Sequence, residues 1–361
     1  MSSSDVDEPR YLRIQRILET QILEGKLPAG SQIPGERILA QQFGVSQMTV
    51  NRAIHELVRK GRLTRRSGAG TFVTDAVEPV RVHGVVLVVP YAEHPQADTY
   101  LQEPFRAVRS VAQARGLTLQ VVQADVCEYR QTAEKHAQGA LLFIAPPLEA
   151  QDTLASLWKQ GVRFVVMGAS YQANLFPCVD SDNFGGARRA VEYLLSLGHR
   201  SIAYVNGWQG STNCADRLRG YQHAMDKWGV TVRPEWIVQA GSDSHLAVEA
   251  RQQLTDLLIR TERVTAVFTA GYYLALETLA SLRSLGLRVP EDISIISFDD
   301  PSSAAHLNPP LSAVRQPLYE MGQRAMVLLL DLLTSPNPDA LRQTFYLPTE
   351  LVIRESCTRQ G

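Results

Sequence analysis

Cysteine is scarce. The chain has 361 residues and four cysteines, Cys127, Cys178, Cys214 and Cys357. No two stand at metal-ligand or redox spacing, so neither a disulfide scaffold nor a metal site is expected. Free thiols of this kind fit a reducing cytoplasm. Long apolar runs are absent too. Runs such as VVLVVP at 85–90 are strand-sized and far short of a membrane span. The opening MSSSDVDEPR has no apolar stretch, so no signal peptide is expected, and residues 1–9 read as a disordered acidic tail. The chain is poor in lysine and holds no Schiff-base lysine motif. The segment FGGARRA lacks the strand, Gly-rich turn and Lys-Ser/Thr order of a phosphate loop. No Ser/His/Asp or paired-carboxylate set stands out. The expectation is a non-enzyme with no cofactor.

Net charge is almost nil at −1, but it is unevenly spread. From Arg10 to Thr74 there are 11 Lys and Arg against 4 Asp and Glu, a surplus of +7. The first nine residues carry −3, and Asp75 to Gly361 carries −5. A basic head on a mildly acidic body suits a polyanion binder with a sensor attached. The length suits two or three domains.

Inside the basic stretch, PGERILAQQFGVSQMTVNRAIHELVRKGRL reads as two helices and a tight turn. Glu36 to Phe43 forms the first. Gly44 suits the left-handed end of a helix, and Ser46 is a good N-cap for the second. Val50, Ala53, Ile54, Leu57 and Val58 recur there at helical spacing. Gln47, Asn51 and His55 fall in one polar row, with Thr49, Arg52 and Arg59 beside it. An apolar face for docking and a polar face for base edges is what a helix-turn-helix needs. LTRRSGAGTFV then reads as a β-hairpin whose basic turn, with Arg65, Arg66, Gly68 and Gly70, makes a wing along a phosphate backbone.

Residues Tyr11 to Val73 resemble the GntR family of bacterial transcription regulators. The resemblance implies DNA contacts at Arg37, Ser46, Gln47, Thr49, Asn51, Arg52, Arg65, Arg66, Gly68 and Gly70. Two positions depart from the family pattern: Gly35 replaces the usual Ser, and Gln47 the usual Arg. Gln suits adenine where Arg suits guanine.

Residues 75–81 read as an extended linker, since Pro79 disfavours helix before it. From Val82 onward, apolar strands alternate with amphipathic helices, which predicts parallel sheets covered on both faces. The units are too many for one small sheet, so two α/β lobes are expected. Ligands sit beyond the carboxyl ends of such strands. That rule selects Tyr91, Tyr100 at the next helix start, Asp182 and Asn183, Trp208, Tyr272 and Tyr273, then Asp299 and Asp300. Aromatic faces cover the C–H face of a sugar, and Arg and Asp bind its hydroxyls.

VDSDNFGGARRAVEYLLSLGHRSIAYVNG, RLRGYQHAM, AVFTAGYYLALETLASLRSLGLRVPEDISIISFDD and PPLSAVRQPLYEMGQRAMVLLLDLL resemble the effector-binding domain of the LacI/GalR family. The match runs from about Val82 to Arg354. It implies a two-lobed fold like the periplasmic binding proteins, with three crossovers and a ligand in the cleft. By the resemblance, lobe one holds 82–203 and 317–334, and lobe two holds 204–314 and 335–355. The ligand-binding Arg and Asp fall on Arg217 and Asp299, and the first-helix aromatic on Tyr100. Gly271-Tyr272 stands where the family commonly has Asn-Asp. His199 reads as a buried structural residue.

The overall expectation is an α/β multidomain chain: an N-terminal winged helix-turn-helix joined to a two-lobed, doubly wound body. The implied function is a cytoplasmic transcription regulator, most often a repressor, acting as a homodimer on double-stranded operator DNA. Its effector would be a small metabolite, by family precedent a carbohydrate, with nucleosides and other metabolites open. A sugar-binding protein with no transcriptional role is the rival reading, but a transport binding protein would carry a signal peptide and no basic head.

Overall fold

The computed structural model describes residues 9–23, 26–28, 30–59, 62–66, 68–74, 84–90, 95–136, 139–171, 174–241, 245–260 and 263–360, with the backbone alone at 23, 59 and 95–99. The linker (75–81), Tyr91 and, apart from Pro9, the expected tail (1–9) lie outside them. The chain divides into two compact units, residues 1–81 with 330–341 and residues 82–329 with 342–361. No helix among the described residues is long and apolar enough to cross a membrane.

The head is built from α1 (Arg10–Leu23), α2 (Glu36–Phe43), α3 (Gln47–Arg59) and the hairpin of β1 (Leu63–Arg66) and β2 (Gly70–Val73). Its core draws one apolar stripe from each element: Ile14 and Leu18, Leu39, Val50, Ile54 and Leu57, then Leu63 and Val73. Gly44 ends α2 at φ 62, a conformation that disfavours a Cβ. Ser46 Oγ accepts from Thr49 N at 3.2 Å and starts α3. Residues 30–33 run alongside β2: Gly30 N donates to Val73 O and Ile33 N to Thr71 O.

In the body, β3 (Gly84–Val89), α4 (Pro95–Ala114), β4 (Thr118–Gln123), α5 (Tyr129–Lys135), β5 (Ala140–Ile144), α6 (Gln151–Lys159), β6 (Phe164–Met167) and β7 (Cys178–Ser181) make lobe one. Then α7 (Asn183–Ser196), β8 (Ile202–Asn206), α8 (Thr212–Lys227), β9 (Ile237–Gln239), α9 (Val248–Ile259), β10 (Ala266–Thr269), α10 (Tyr272–Ser284), β11 (Ser294–Phe298) and β12 (Ser312–Arg315) make lobe two. The chain ends with α11 (Leu318–Thr334), β13 (Thr344–Leu347) and β14 (Glu350–Val352).

The lobe-one sheet runs β4-β3-β5-β6-β7-β13 and is parallel throughout. The lobe-two sheet runs β9-β8-β10-β11-β12-β14, with only β14 antiparallel. Each sheet reverses direction at its first strand, so each has a switch point where ligands collect. The chain passes between lobes three times: after β7, after β12 and after β13.

The expected lobe boundaries need correction. The expected boundary puts helix α7 in lobe one, but Ala187, Ala190, Val191, Leu194 and Leu195 are buried in one core with Tyr204, Phe268 and Phe298 of lobe two. The first crossover therefore lies at 181–183, not 203. The small residues of α7 explain the change, since they let it press closely on its neighbours. A Cβ at Gly220 of α8 would stand 2.9 Å from the Ala187 Cβ. At the other end, β13 pairs with β7 of lobe one, not with lobe two. Residues 330–341, expected to divide between the lobes, group instead with the unit that holds the head.

Helix α4 also begins earlier than expected, at Pro95, and continues through Pro104. Tyr100 therefore sits within the helix and not at its start.

Candidate functional site

On the head, Arg37, Ser46, Gln47, Arg52, Arg65, Arg66, Gly68 and Gly70 are exposed, and Thr49 and Asn51 are half-buried. They lie on α2, α3 and the wing, the elements that a winged helix-turn-helix turns toward DNA. Several are held by neighbours. Glu36 accepts from Asn51 Nδ2 at 2.9 and 3.0 Å and from Arg65 at 2.9 Å. Arg52 stacks over Tyr11 at 4.1 Å, and Arg66 over Phe72 at 4.7 Å. Gln32 Nε2 donates to Ala69 O at 2.8 Å and braces the wing tip. Sequence reasoning missed Glu36 and Gln32. They act through contacts 15 to 37 residues away, which no local pattern reveals.

In the body, the loops beyond the strand ends enclose a cleft of about 780 Å³. Pro90 follows β3, Ala145 follows β5 and Gly168 follows β6 on one side. Gly207 and Trp208 follow β8, Ala270 and Gly271 follow β10, and Asp299 follows β11 on the other. This is where doubly wound sheets place ligands. Loops of the two lobes also meet directly. Leu148 N donates to Gly210 O at 2.7 Å, and Asn213 Nδ2 to Gly168 O at 3.0 Å.

Of the ten residues singled out for the cleft, seven line it: Tyr100, Trp208, Arg217, Tyr272, Tyr273, Asp299 and Asp300. Tyr91 lies outside the described residues. Asp182 and Asn183 are corrections, because neither faces the cleft. Asp182 caps α7, accepting from Gly185 N at 2.7 Å, and pairs with Arg189 at 3.5 Å. Asn183 is 1% exposed and lies behind Arg217. The neighbours Asp299 and Asp300 part company. Asp300 is held by Arg315 at 2.7 Å and Arg354 at 2.8 Å, while Asp299 turns toward Arg217.

Arg217 organises the floor of the cleft. Its Nε donates to Asn183 Oδ1 at 2.8 Å, and one terminal nitrogen donates to Ala270 O at 2.5 Å. Its guanidinium lies 3.7 Å from the Phe298 ring centre and 3.7 Å from Asp299 Oδ2. Asp299 Oδ1 accepts from Gln316 Nε2 at 2.5 Å, and Gln316 Oε1 accepts from Ser181 Oγ at 2.6 Å. Asp180 Oδ1 accepts from Ser181 N and from Asn183 Nδ2. These bonds close a circuit from Arg217 and Asp299 through two crossovers, at 181–183 and at Gln316. Gln316 was missed by sequence reasoning, although the same rule of residues just beyond a strand would have selected it.

Two buried side-chain oxygens in the body, Asp180 Oδ2 in this circuit and Tyr100 Oη at the cleft, have no hydrogen-bond partner among the described residues. Burial pushes the Asp180 carboxyl up to about 7, against the pull of the Ser181 N–H, Arg217 and Asn183. Burial, with the Asp180 and Asp299 charges, raises the Tyr100 hydroxyl well above its usual range. Asp299 and Ala145, both on the wall, hold positive φ at 72° and 46°. Such backbone recurs at binding sites, where the surrounding fold over-determines it. His199 is buried, bonded to Thr265 and Thr358 O, and burial lowers its pKa.

The arrangement defines a class: a two-lobed small-molecule receptor in one chain with a winged DNA-binding head. Sequence comparison agrees. Residues 10–73 match the bacterial regulatory proteins of the gntR family, and residues 191–357 match the periplasmic binding protein-like domain. The chain is 29% identical to the arabinose metabolism transcriptional repressor of Geobacillus stearothermophilus, covering 96% of this chain and 97% of that one. It is 30% identical to the HTH-type transcriptional repressor PurR of Proteus mirabilis (strain HI4320), over 88% and 95%. Among solved structures, a transcriptional regulator CelR–cellobiose complex superposes with a TM-score of 0.66 at 25% identity, covering 90% of this chain and all of that one. The chain belongs to the LacI-type bacterial transcription regulators, with a gntR-family head, and is a DNA-binding transcription regulator.

Proposed function

We propose that the protein is a cytoplasmic repressor controlled by a small carbohydrate bound in the cleft. One observation carries this reading: Arg217 and Asp299 sit on the cleft floor and are wired by hydrogen bonds to two of the crossovers. Arg217 and Asp299 would take neighbouring hydroxyls with charge-assisted bonds. Tyr100, Trp208 and Tyr272 offer ring faces to the C–H side of a sugar. The names of two relatives, an arabinose metabolism repressor and a regulator solved with cellobiose, support a carbohydrate over a nucleoside.

In this reading a dimer presents two heads to a near-palindromic operator. Arg37, Gln47, Thr49, Arg52, Arg65 and Arg66 supply base and phosphate contacts, with Ser46 and Asn51 holding α3 in register and Gly68 and Gly70 shaping the wing tip. Ligand draws the lobes together through the circuit and lowers operator affinity. By linkage, operator DNA lowers ligand affinity by the same factor.

A thermal-shift panel of pentoses, hexoses, disaccharides including cellobiose, and nucleosides tests the assignment. One carbohydrate at 100 times its dissociation constant should add roughly 2.7 kcal/mol of stability and release the protein from its operator. A response to nucleosides alone would sink the carbohydrate assignment. Failure to bind any duplex at low salt would sink the repressor reading.

A further inference from the structure

We infer that Met48 reads DNA sequence, its thioether packing on the C5-methyl group of a thymine in each operator half-site. The inference rests on α3 being the helix that enters the major groove, and it adds a contact that no polar residue supplies.

Met48 is 83% exposed, the most exposed large apolar side chain among the described residues. In the head only Ile38, at 50%, is comparable. A lone exposed apolar residue is ordinary on a protein surface. The position of this one is not. It is the second residue of α3, whose apolar face is already spent on the core through Val50, Ala53, Ile54 and Leu57. In a helix-turn-helix the N-terminal turn of the second helix meets the base edges. The major groove offers one apolar feature there, the thymine methyl.

The surroundings of Met48 sharpen the argument. Ser46 and Thr49 share a hydrogen bond at 2.9 Å and fix the first turn of α3. Asn51 is held by Glu36, and Arg52 lies over Tyr11. The side chains of Gln47 and Met48 make no hydrogen bond among the described residues, so they stand ready at the tip. Met is unbranched and polarizable, suited to fitting a methyl group of variable position. Successive helical residues are rotated by about 100°. The thymine therefore belongs to a base pair beside the one that Gln47 meets. Since Gln pairs best with adenine, the two side chains together select an A·T-rich step.

The test uses the full-length protein and the tightest duplex selected from a randomised pool. Each thymine is replaced singly by deoxyuridine, which removes only the methyl group. At one thymine per half-site, the unaltered protein should bind roughly three- to fivefold more weakly, the worth of one buried methyl. Met48→Ala should bind the thymine duplex about that much more weakly and should not distinguish thymine from uracil there. Met48→Leu should keep the distinction. Indifference of the unaltered protein to uracil at every position overturns the inference, as does an undiminished distinction in Met48→Ala. Gln47→Ala and Arg66→Ala separate the two levels. If both weaken binding while Met48→Ala does not, only the Met48 contact falls. If neither does, the placement of α3 in the groove falls with it.

Discussion

The Arg217 guanidinium stands 3.7 Å from the Asp299 carboxylate, and Gln316 joins that carboxylate to Ser181 at the first crossover. In the proposed reading, a group bound across Arg217 and Asp299 would act directly on the crossover segments at Ser181 and Gln316. Arg217 side-chain exposure is 6%, against 32% for Asp299. The carboxylate is the partner that faces solvent, and the arginine is the one whose loss leaves buried groups bare.

Arg217→Ala should remove the ligand-induced thermal shift and leave operator binding intact. Stability should fall by roughly 3 kcal/mol, because Asn183 Oδ1 and Ala270 O lose their donors. Urea denaturation and a fluorescence-anisotropy titration with operator DNA check the two halves. Normal induction by this variant would dispose of the cleft assignment.

Asp180 should make stability fall as pH rises from about 4 to 7. Its carboxyl is raised from 3.8 to about 7 in the folded chain. Over that interval the folded state holds a proton that the unfolded state has released, so raising pH favours unfolding. The contribution is fully present below the unfolded value and is lost as pH passes the folded one. Asp180→Asn should abolish this slope and be the more stable protein above pH 7, by roughly 4 kcal/mol. Parallel stability curves for the two proteins from pH 4 to 8 would refute the assignment.

Glu36→Ala should raise affinity for DNA of any sequence. Glu36 neutralises Arg65 at 2.9 Å. Its removal frees one cation on the wing and should steepen the dependence of log K on log salt by about one. Arg66→Ala should reduce that slope by about one. Titrations at several salt concentrations measure both. Equal slopes in all three proteins would show that the wing does not touch the phosphates.

Gly220→Ala should destabilise the body by roughly 1–3 kcal/mol, as overpacking does. The added Cβ would meet Ala187 at 2.9 Å and the Arg188 backbone at 3.0 Å. Ligand response should persist in the folded fraction, since Gly220 faces α7 and not the cleft. A variant of unchanged stability would mean that α7 and α8 can separate freely.

The head was the most legible part of the sequence, and its reasons are local. Glu36–Phe43, Gly44 and Ser46 are set by apolar spacing, a left-handed glycine and a cap, each a property of a few adjacent residues. The apolar strands of the body were equally plain, because parallel strands are buried on both faces. Asp182 is ambiguous in sequence for a physical reason. An acidic residue at a helix start is both a good ligand-binding group and a good cap, and only its bond to Gly185 and its pairing with Arg189 decide between them. Helix α7 is ambiguous in another way: its amphipathic pattern says that one face is buried, but not against which sheet.

Sequence alone determined the kinds of element, the basic head, the two-lobed body and the positions just beyond each strand. Those features follow from side-chain period, turn chemistry and charge count, which need no knowledge of distant residues. Tertiary structure alone decided which sheet receives α7 and β13, which carboxylate faces Arg217, and how Ser181, Asn183 and Gln316 close one circuit. Ser181 and Gln316 are 135 residues apart in the chain and 2.6 Å apart in space. A hydrogen bond depends on that second separation, and no local pattern encodes it.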